Sequence, residues 1–151
     1  MATTGSPDIE YLDVILRGEL AAVETYDQVL EKFAGKLTSS DLIKVRDEHK
    51  QHITLLNEQL VKFGATPSTT SGTWGTFTGA VTSVAKLIGP ETALAALKQG
   101  EEHGIAQYEK AIERKDLSAE TIALLRTELL PQSHAHVASL DRLISAHAAA
   151  S

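Results

Sequence analysis

The chain of 151 residues contains no cysteine. This absence excludes disulfide bonds, thiolate zinc sites and catalysis by a thiol, and it favours a cytoplasmic location. Aromatic residues make up only 5% of the chain, whereas alanine, leucine and glutamate are abundant. Because these abundant residues favour helices, the composition predicts an all-α protein.

The chain also lacks an excess of basic residues. Its 14 Lys and Arg stand against 20 Asp and Glu, for a formal charge of −6. We therefore expect neither a nucleic-acid partner nor attachment to a membrane surface. No apolar run approaches the roughly 18 residues of a membrane-spanning helix. The first residues carry no basic region followed by an apolar one, so we expect no signal peptide. The prediction is one soluble domain over residues 1–151.

Four long segments have the apolar periodicity of helices. The predicted helices cover residues 7–34, 40–63, 90–114 and 118–147. Ser6 and Ser118 are candidate caps, and Pro7 occupies the first helical position that proline prefers. Pro131 lies inside the last segment and predicts a kink or a local break there. A shorter helix is predicted over residues 77–88.

The connections between the predicted helices differ in length. Short loops join the first helix to the second and the third to the fourth, whereas about 25 residues separate the second from the third. Short loops make antiparallel neighbours, and a long connection lets the chain cross a bundle. This pattern predicts two antiparallel hairpins joined by a long crossover that contains the short helix. It is the four-helix bundle of ferritin-like folds.

One motif occurs twice, as GELAAVETY at residues 18–26 and as GEEHGIAQY at residues 100–108. Both copies read Gly-Glu, six residues, then Tyr. Glu19, Glu101, Tyr26 and Tyr108 lie in phase with the apolar stripes of their helices. The repeat predicts two equivalent hairpins, each carrying an inward-facing glutamate and tyrosine.

Histidines lie on the helices that pair with these two. His49 and His52 share the apolar face of the second helix, and Glu48 lies four residues before His52. Gln132 and His136 repeat that spacing on the fourth helix, and His134 flanks its apolar stripe.

A buried carboxylate is costly unless a cation or strong donors meet it, and two can converge on one ion inside a bundle. The candidate metal ligands are Glu19, Glu48, His49, His52, Glu101, His134 and His136. The hydroxyls of Tyr26 and Tyr108 are expected to hydrogen-bond either to these ligands across the bundle or to each other. The candidate ions are iron, manganese and zinc, and no organic cofactor is expected. The alternatives are a hydrogen-bonded polar core without a metal and a metal-independent enzyme that uses Glu and His as acid and base.

These residues resemble the ferritin-like superfamily over about residues 8–146. The segment TWGTFTGAVTSVAKLIGPETALAALKQGEEHGIAQYEKAIE is similar to domain of unknown function 2383. Ferritin, bacterioferritin and rubrerythrin place a glutamate seven residues before a tyrosine on the first helix, as Glu19 and Tyr26 are placed here. The resemblance implies a dinuclear iron site that handles oxygen or peroxide and oxidises iron.

The chain departs from that family on the second and fourth helices, where di-iron members carry Glu-x-x-His. Here the second helix has His49-x-x-His52 or Glu48-x-x-x-His52, and the fourth has no carboxylate beside its histidines. Glu19, His52, Glu101 and a histidine of the fourth helix would suit one ion or an atypical pair. The predicted function is metal binding linked to iron or manganese handling or oxidative stress. The alternative is a non-catalytic bundle that acts by assembly or partner binding, and a homodimer is expected from the family.

Overall fold

The computed structural model describes residues 6–37, 39–70 and 88–150. Within these ranges the chain is helical and contains no strand, which confirms the all-α prediction there. The elements are α1 (Pro7–Lys32), α2 (Ser39–Lys62), α3 (Pro90–Ile112), α4 (Ala119–Leu124), a π-helical turn (Leu125–Leu129) and α5 (Leu130–Ala150). The short helix predicted at 77–88 lies almost entirely outside the described residues.

Local signals explain where the helices begin. Pro7 and Pro90 occupy the first positions of α1 and α3, where the missing N–H of proline costs nothing. Ser118 caps α4, since its Oγ accepts a 3.2 Å hydrogen bond from the N–H of Thr121. Ser6 stands at the cap position of α1, but its side chain makes no capping hydrogen bond. The predicted cap position is therefore confirmed, but without a capping hydrogen bond from the side chain.

Pro131 marks the interruption of the last helical segment. Proline has no N–H, and its ring collides with the carbonyl four residues before it, so a regular α-helix is strained at this point. A π-helical turn forms just before this residue, and in it the N–H of Leu130 donates a hydrogen bond to the carbonyl of Leu125. The predicted local break is confirmed, and it takes the form of a widened turn just before Pro131.

Two apolar layers define the directions of the helices. In the first layer, Leu12 near the start of α1 packs in one cluster with Leu60 near the end of α2 and Ala111 near the end of α3. Leu129, just before α5, completes this layer. Helix α1 therefore runs antiparallel to both α2 and α3.

The second layer lies at the other end of the helices. It joins Val29 of α1 and Leu42 at the start of α2 to Leu94 at the start of α3 and Leu140 in α5. Helices α2 and α3 thus run in the same direction, so the end of α2 and the start of α3 lie at opposite ends of the helices. The most extensive packing is within the pairs α1–α2 and α3–α5. No helix among the described residues is long and apolar enough to cross a membrane.

Candidate metal centre

A cluster of buried polar residues lies between the two apolar layers. All four long helices contribute to it: Glu19 from α1, His49 and His52 from α2, Glu101 from α3 and His136 from α5. Each is at most 3% exposed. Carboxylates this deeply buried require a cation or strong donors beside them.

His49 lies between the two carboxylates. Its Nδ1 makes a short contact with Oε2 of Glu19, and its Nε2 lies 2.8 Å from Oε2 of Glu101. Burial disfavours the charged ring, but the facing carboxylates of Glu101 and Glu19 outweigh burial and raise the pKa of His49 well above its usual range. Without a metal ion, this ring is an imidazolium that bridges the two halves of the bundle.

Glu19 has partners on both of its oxygens. Besides His49 at Oε2, Nδ1 of His52 lies 3.1 Å from Oε1, and the hydroxyl of Tyr108 donates a 2.8 Å hydrogen bond to Oε1. Burial alone would raise the pKa of this carboxyl, but His49 and His52 outweigh burial and hold it far below its usual range. Glu19 is therefore ionised.

Glu101 has the matching surroundings. Nδ1 of His136 lies 3.3 Å from its Oε1, and the hydroxyl of Tyr26 donates a 2.7 Å hydrogen bond to its Oε2. Burial acts to raise the pKa of Glu101, but His49 and His136 prevail and lower it to about 2. Both carboxylates of the repeated motif are thus ionised at neutral pH.

The two outer histidines are oriented by side chains of the opposite hairpin. Nε2 of His52 lies 2.7 Å from Oε1 of Gln132, and Nε2 of His136 lies 3.0 Å from Oε1 of Glu48. When Nε2–H donates to such an oxygen, Nδ1 of the same ring points its lone pair towards the cluster. Metal-binding histidines are held by partners of this kind.

Tyr26 and Tyr108 surround the cluster as hydrogen-bond donors. Burial raises the pKa of each phenol well above its usual range, and the adjacent carboxylate raises it further. Both hydroxyls therefore keep their protons and donate to Glu101 and Glu19. This confirms the predicted inward orientation of the two tyrosines.

The donor atoms suit a transition-metal ion. Two groups have ligand atoms within 4.8 Å of one another, one formed by Glu19, His49 and His52 and the other by His49, Glu101 and His136. Imidazole nitrogens with carboxylate oxygens are typical of zinc, iron and manganese sites, whereas calcium and magnesium prefer oxygen ligands alone. The residues present therefore fit an ion of this class.

A cavity of about 10 Å³ adjoins the carboxylates, which is the space of about one water molecule. The glycine of each repeated Gly-Glu pair, Gly18 and Gly100, lines it beside the two carboxylates. Gly104 and Ser133 also line this space. It is large enough for a water ligand of a bound ion.

The structure brings most of the predicted ligands together. The cluster and its immediate partners include Glu19, Glu48, His49, His52, Glu101, His136, Tyr26 and Tyr108. His134 is exposed and does not join them. The sequence-based candidate ligands omitted Gln132, although its spacing from His136 matches that of Glu48 from His52.

Comparisons with known proteins reach only the central part of the chain. A family model described as a domain of unknown function (DUF2383) matches residues 39–114, just over half of the sequence. The match covers α2 and α3 and includes His49, His52 and Glu101. No curated protein and no solved structure matches the chain.

Proposed function

This chain belongs to the family described as domain of unknown function DUF2383, and from that premise we propose that it is a ferritin-like metal-binding protein. The family description names no activity, so the proposal rests on the cluster between α1, α2, α3 and α5. Its central observation is that two ionised, buried carboxylates meet three buried imidazoles, with the ligand atoms of each group within 4.8 Å. Iron and manganese are the proposed ions, with zinc as the competing one.

The directions of the helices support the ferritin-like part of the proposal. Helices α1 and α2 form one antiparallel pair, α3 and α5 form another, and α2 runs in the same direction as α3. Ferritin-like folds have two such hairpins joined by one long crossover. The repeated Gly-Glu-x6-Tyr motif places equivalent ligands on the first helix of each pair.

The positions of the ring nitrogens support metal binding. Both nitrogens of His49, His52 and His136 face oxygen atoms. A nitrogen that faces a carboxylate either donates a proton to it or shares a metal ion with it. A metal ion held by Glu19 and Glu101 would take the place of the imidazolium charge of His49 as the partner of these buried carboxylates.

The second candidate function is a metal-free bundle that acts by assembly or partner binding. One observation favours it: both nitrogens of each buried ring lie within hydrogen-bonding distance of a side-chain oxygen without a metal ion. In that case the cluster is a structural ion-pair network, and replacing a carboxylate changes stability without changing metal content.

Metal content separates the two functions. The protein is purified without an affinity tag, stripped with a chelator, and dialysed against iron(II), manganese(II) or zinc. We expect binding to wild type and at least about a tenfold loss of affinity in Glu101→Gln, because a ligand is removed. Glu102→Gln is the matched control, since Glu102 is the exposed neighbour of Glu101. Less than a tenth of an equivalent in wild type, or equal affinity in both variants, would contradict the metal function.

A further inference from the structure

The cluster has two similar halves, one around Glu19 and one around Glu101, and each half receives a hydrogen bond from the tyrosine of the other repeat. Tyr26 of the first repeat donates its hydroxyl to Glu101 of the second, and Tyr108 of the second donates to Glu19 of the first. Each carboxylate therefore has one tyrosine fixed on it from the other repeat. The local surroundings of Glu19 and Glu101 are equivalent in this respect.

The outer histidines extend the equivalence. His52 presents Nδ1 to Glu19 at 3.1 Å, and His136 presents Nδ1 to Glu101 at 3.3 Å. In both rings the other nitrogen, Nε2, contacts an oxygen of a side chain from the opposite hairpin. Each half thus offers one carboxylate and one imidazole Nδ1 to a common ligand.

His49 is the residue that breaks this equivalence. Its ring lies 5.7 Å from the ring of His52 and 4.8 Å from that of His136, so it stands between the two halves. It offers Nδ1 to the half with Glu19 and Nε2 to the half with Glu101. On α5, Ser133 precedes His136 by the same spacing by which His49 precedes His52. The buried Ser133 is small, and its hydroxyl bonds to the carbonyl of Leu129.

We propose that the cluster binds two transition-metal ions and that His49 bridges them, one ion at each ring nitrogen. The first ion takes Glu19, Nδ1 of His49 and Nδ1 of His52. The second takes Glu101, Nε2 of His49 and Nδ1 of His136. The His49 ring releases both of its N–H protons to solvent, as metal binding at histidine requires, and each freed lone pair binds one ion. This inference rests on the proposed function and specifies its stoichiometry.

Stoichiometry is the first test. Metal-stripped protein is titrated with Co²⁺, and bound metal is measured by equilibrium dialysis and visible absorption. We expect about two equivalents in wild type and about one in each of His52→Asn and His136→Asn, because each variant loses one ion. His134→Asn is the matched control on α5, since His134 is exposed, and it should retain about two equivalents.

Shared ligation by His49 is tested with Cu²⁺. Two Cu²⁺ ions joined through one imidazolate couple antiferromagnetically, so the electron paramagnetic resonance signal of the fully loaded protein should fall well below that of the same amount of free copper. In His49→Gln any bound ions lose the bridge, and the full signal of the bound copper should appear. His52→Asn holds one ion and should also show its full signal. Circular dichroism confirms that each variant remains helical.

The outcomes separate this inference from the proposed function. A single equivalent in wild type that disappears in both His52→Asn and His136→Asn indicates one central ion, which overturns the bridged pair and leaves metal binding intact. Two uncoupled ions in wild type overturn the bridge. No binding of any ion overturns the inference and the proposed function together.

Discussion

The hydroxyl of Tyr26 on α1 donates a 2.7 Å hydrogen bond to Oε2 of Glu101 on α3. The contact joins the tyrosine of one repeat to the glutamate of the other, and Tyr108 makes the reciprocal contact with Glu19 at 2.8 Å. The tyrosine of each copy of the motif therefore supplies a hydrogen-bond donor to the glutamate of the other copy. Their common spacing of glutamate and tyrosine is what allows both contacts to form between antiparallel helices.

The first prediction concerns these hydroxyls. Replacing Tyr26 or Tyr108 with phenylalanine leaves a buried carboxylate with one donor fewer, and a hydrogen bond to a charged group contributes about 1.5–3 kcal/mol. We expect each variant to lose about that much free energy of unfolding, measured by urea denaturation of the metal-free protein. Tyr11→Phe is the control, because the buried hydroxyl of Tyr11 has no hydrogen-bond partner among the described residues. An equal loss in Tyr11→Phe would contradict the explanation.

The sequence predicted the faces of the helices better than the contacts between them. Glu19, Glu101, Tyr26 and Tyr108 were predicted to point inward because each lies in phase with an apolar stripe. That the hydroxyl of Tyr26 donates to Glu101, on the other repeat, depends on the relative position of α1 and α3. Packing of the two apolar layers determines that position, and no local pattern encodes it.

The last helix shows a second limit. His134 and His136 were both candidate ligands, but only His136 is buried in the cluster. A π-helical turn at Leu125–Leu129 contains more residues per turn than an α-helix, so it shifts the phase of the residues that follow. Pro131 predicted an interruption of the helix, but not that it would take the form of a π-helical turn. The buried face nevertheless continues the predicted stripe, since Leu125, Leu129, His136 and Leu140 are all buried.

The second prediction concerns how the stability of the protein at acid pH depends on Asp8, at the start of α1. Burial by itself would raise the pKa of the Asp8 carboxyl. Hydrogen bonds from the hydroxyl of Thr121 and from the N–H and hydroxyl of Ser118 outweigh burial and hold this pKa below its usual value. A lowered folded-state pKa means that the charged form stabilises the protein above the unfolded-state pKa of about 3.9. This contribution is lost as the pH falls through the folded-state pKa.

The measurement compares wild type with Asp8→Asn. We expect the variant to lose about 1–2 kcal/mol of unfolding free energy at pH 7, with a difference from wild type that shrinks as the pH falls below about 4. Glu10→Gln is the control, because Glu10 is exposed in the same first turn. A difference between wild type and Asp8→Asn that stays constant from pH 7 to pH 3 would show that the charge of Asp8 is not responsible.

The third prediction contrasts two glycines. A Cβ added at Gly104, inside α3, meets no atom within 4 Å, so Gly104→Ala should raise the unfolding free energy by about 0.5–1 kcal/mol through the helix propensity of alanine. Gly89 has φ +86°, and a Cβ there lies 2.9 Å from Oε2 of Glu91. The Glu91 side chain can move away, but the positive φ disfavours any side chain, so Gly89→Ala should destabilise the protein by about 1 kcal/mol. Thermal melts of both variants test the contrast, and a destabilised Gly104→Ala would contradict it.

The fourth prediction concerns removal of the metal. An ion that binds only the folded protein stabilises it by about 2.7 kcal/mol when its free concentration is about a hundred times the dissociation constant. For a domain of this size, that stabilisation corresponds to a melting temperature about 5–10 °C higher than that of the chelator-treated protein. Calorimetric scans of the treated and metal-loaded protein measure the difference.

The control for metal removal is the double variant Glu19→Gln, Glu101→Gln. It lacks both carboxylates of the cluster, whereas the amides preserve the size of the side chains. We expect it to melt at one temperature with and without metal, because the ions have lost the anionic ligand of each group. If the double variant gains as much from metal as wild type, the stabilising ion binds elsewhere on the protein. If neither protein responds, the buried Glu and His residues form a structural ion-pair network.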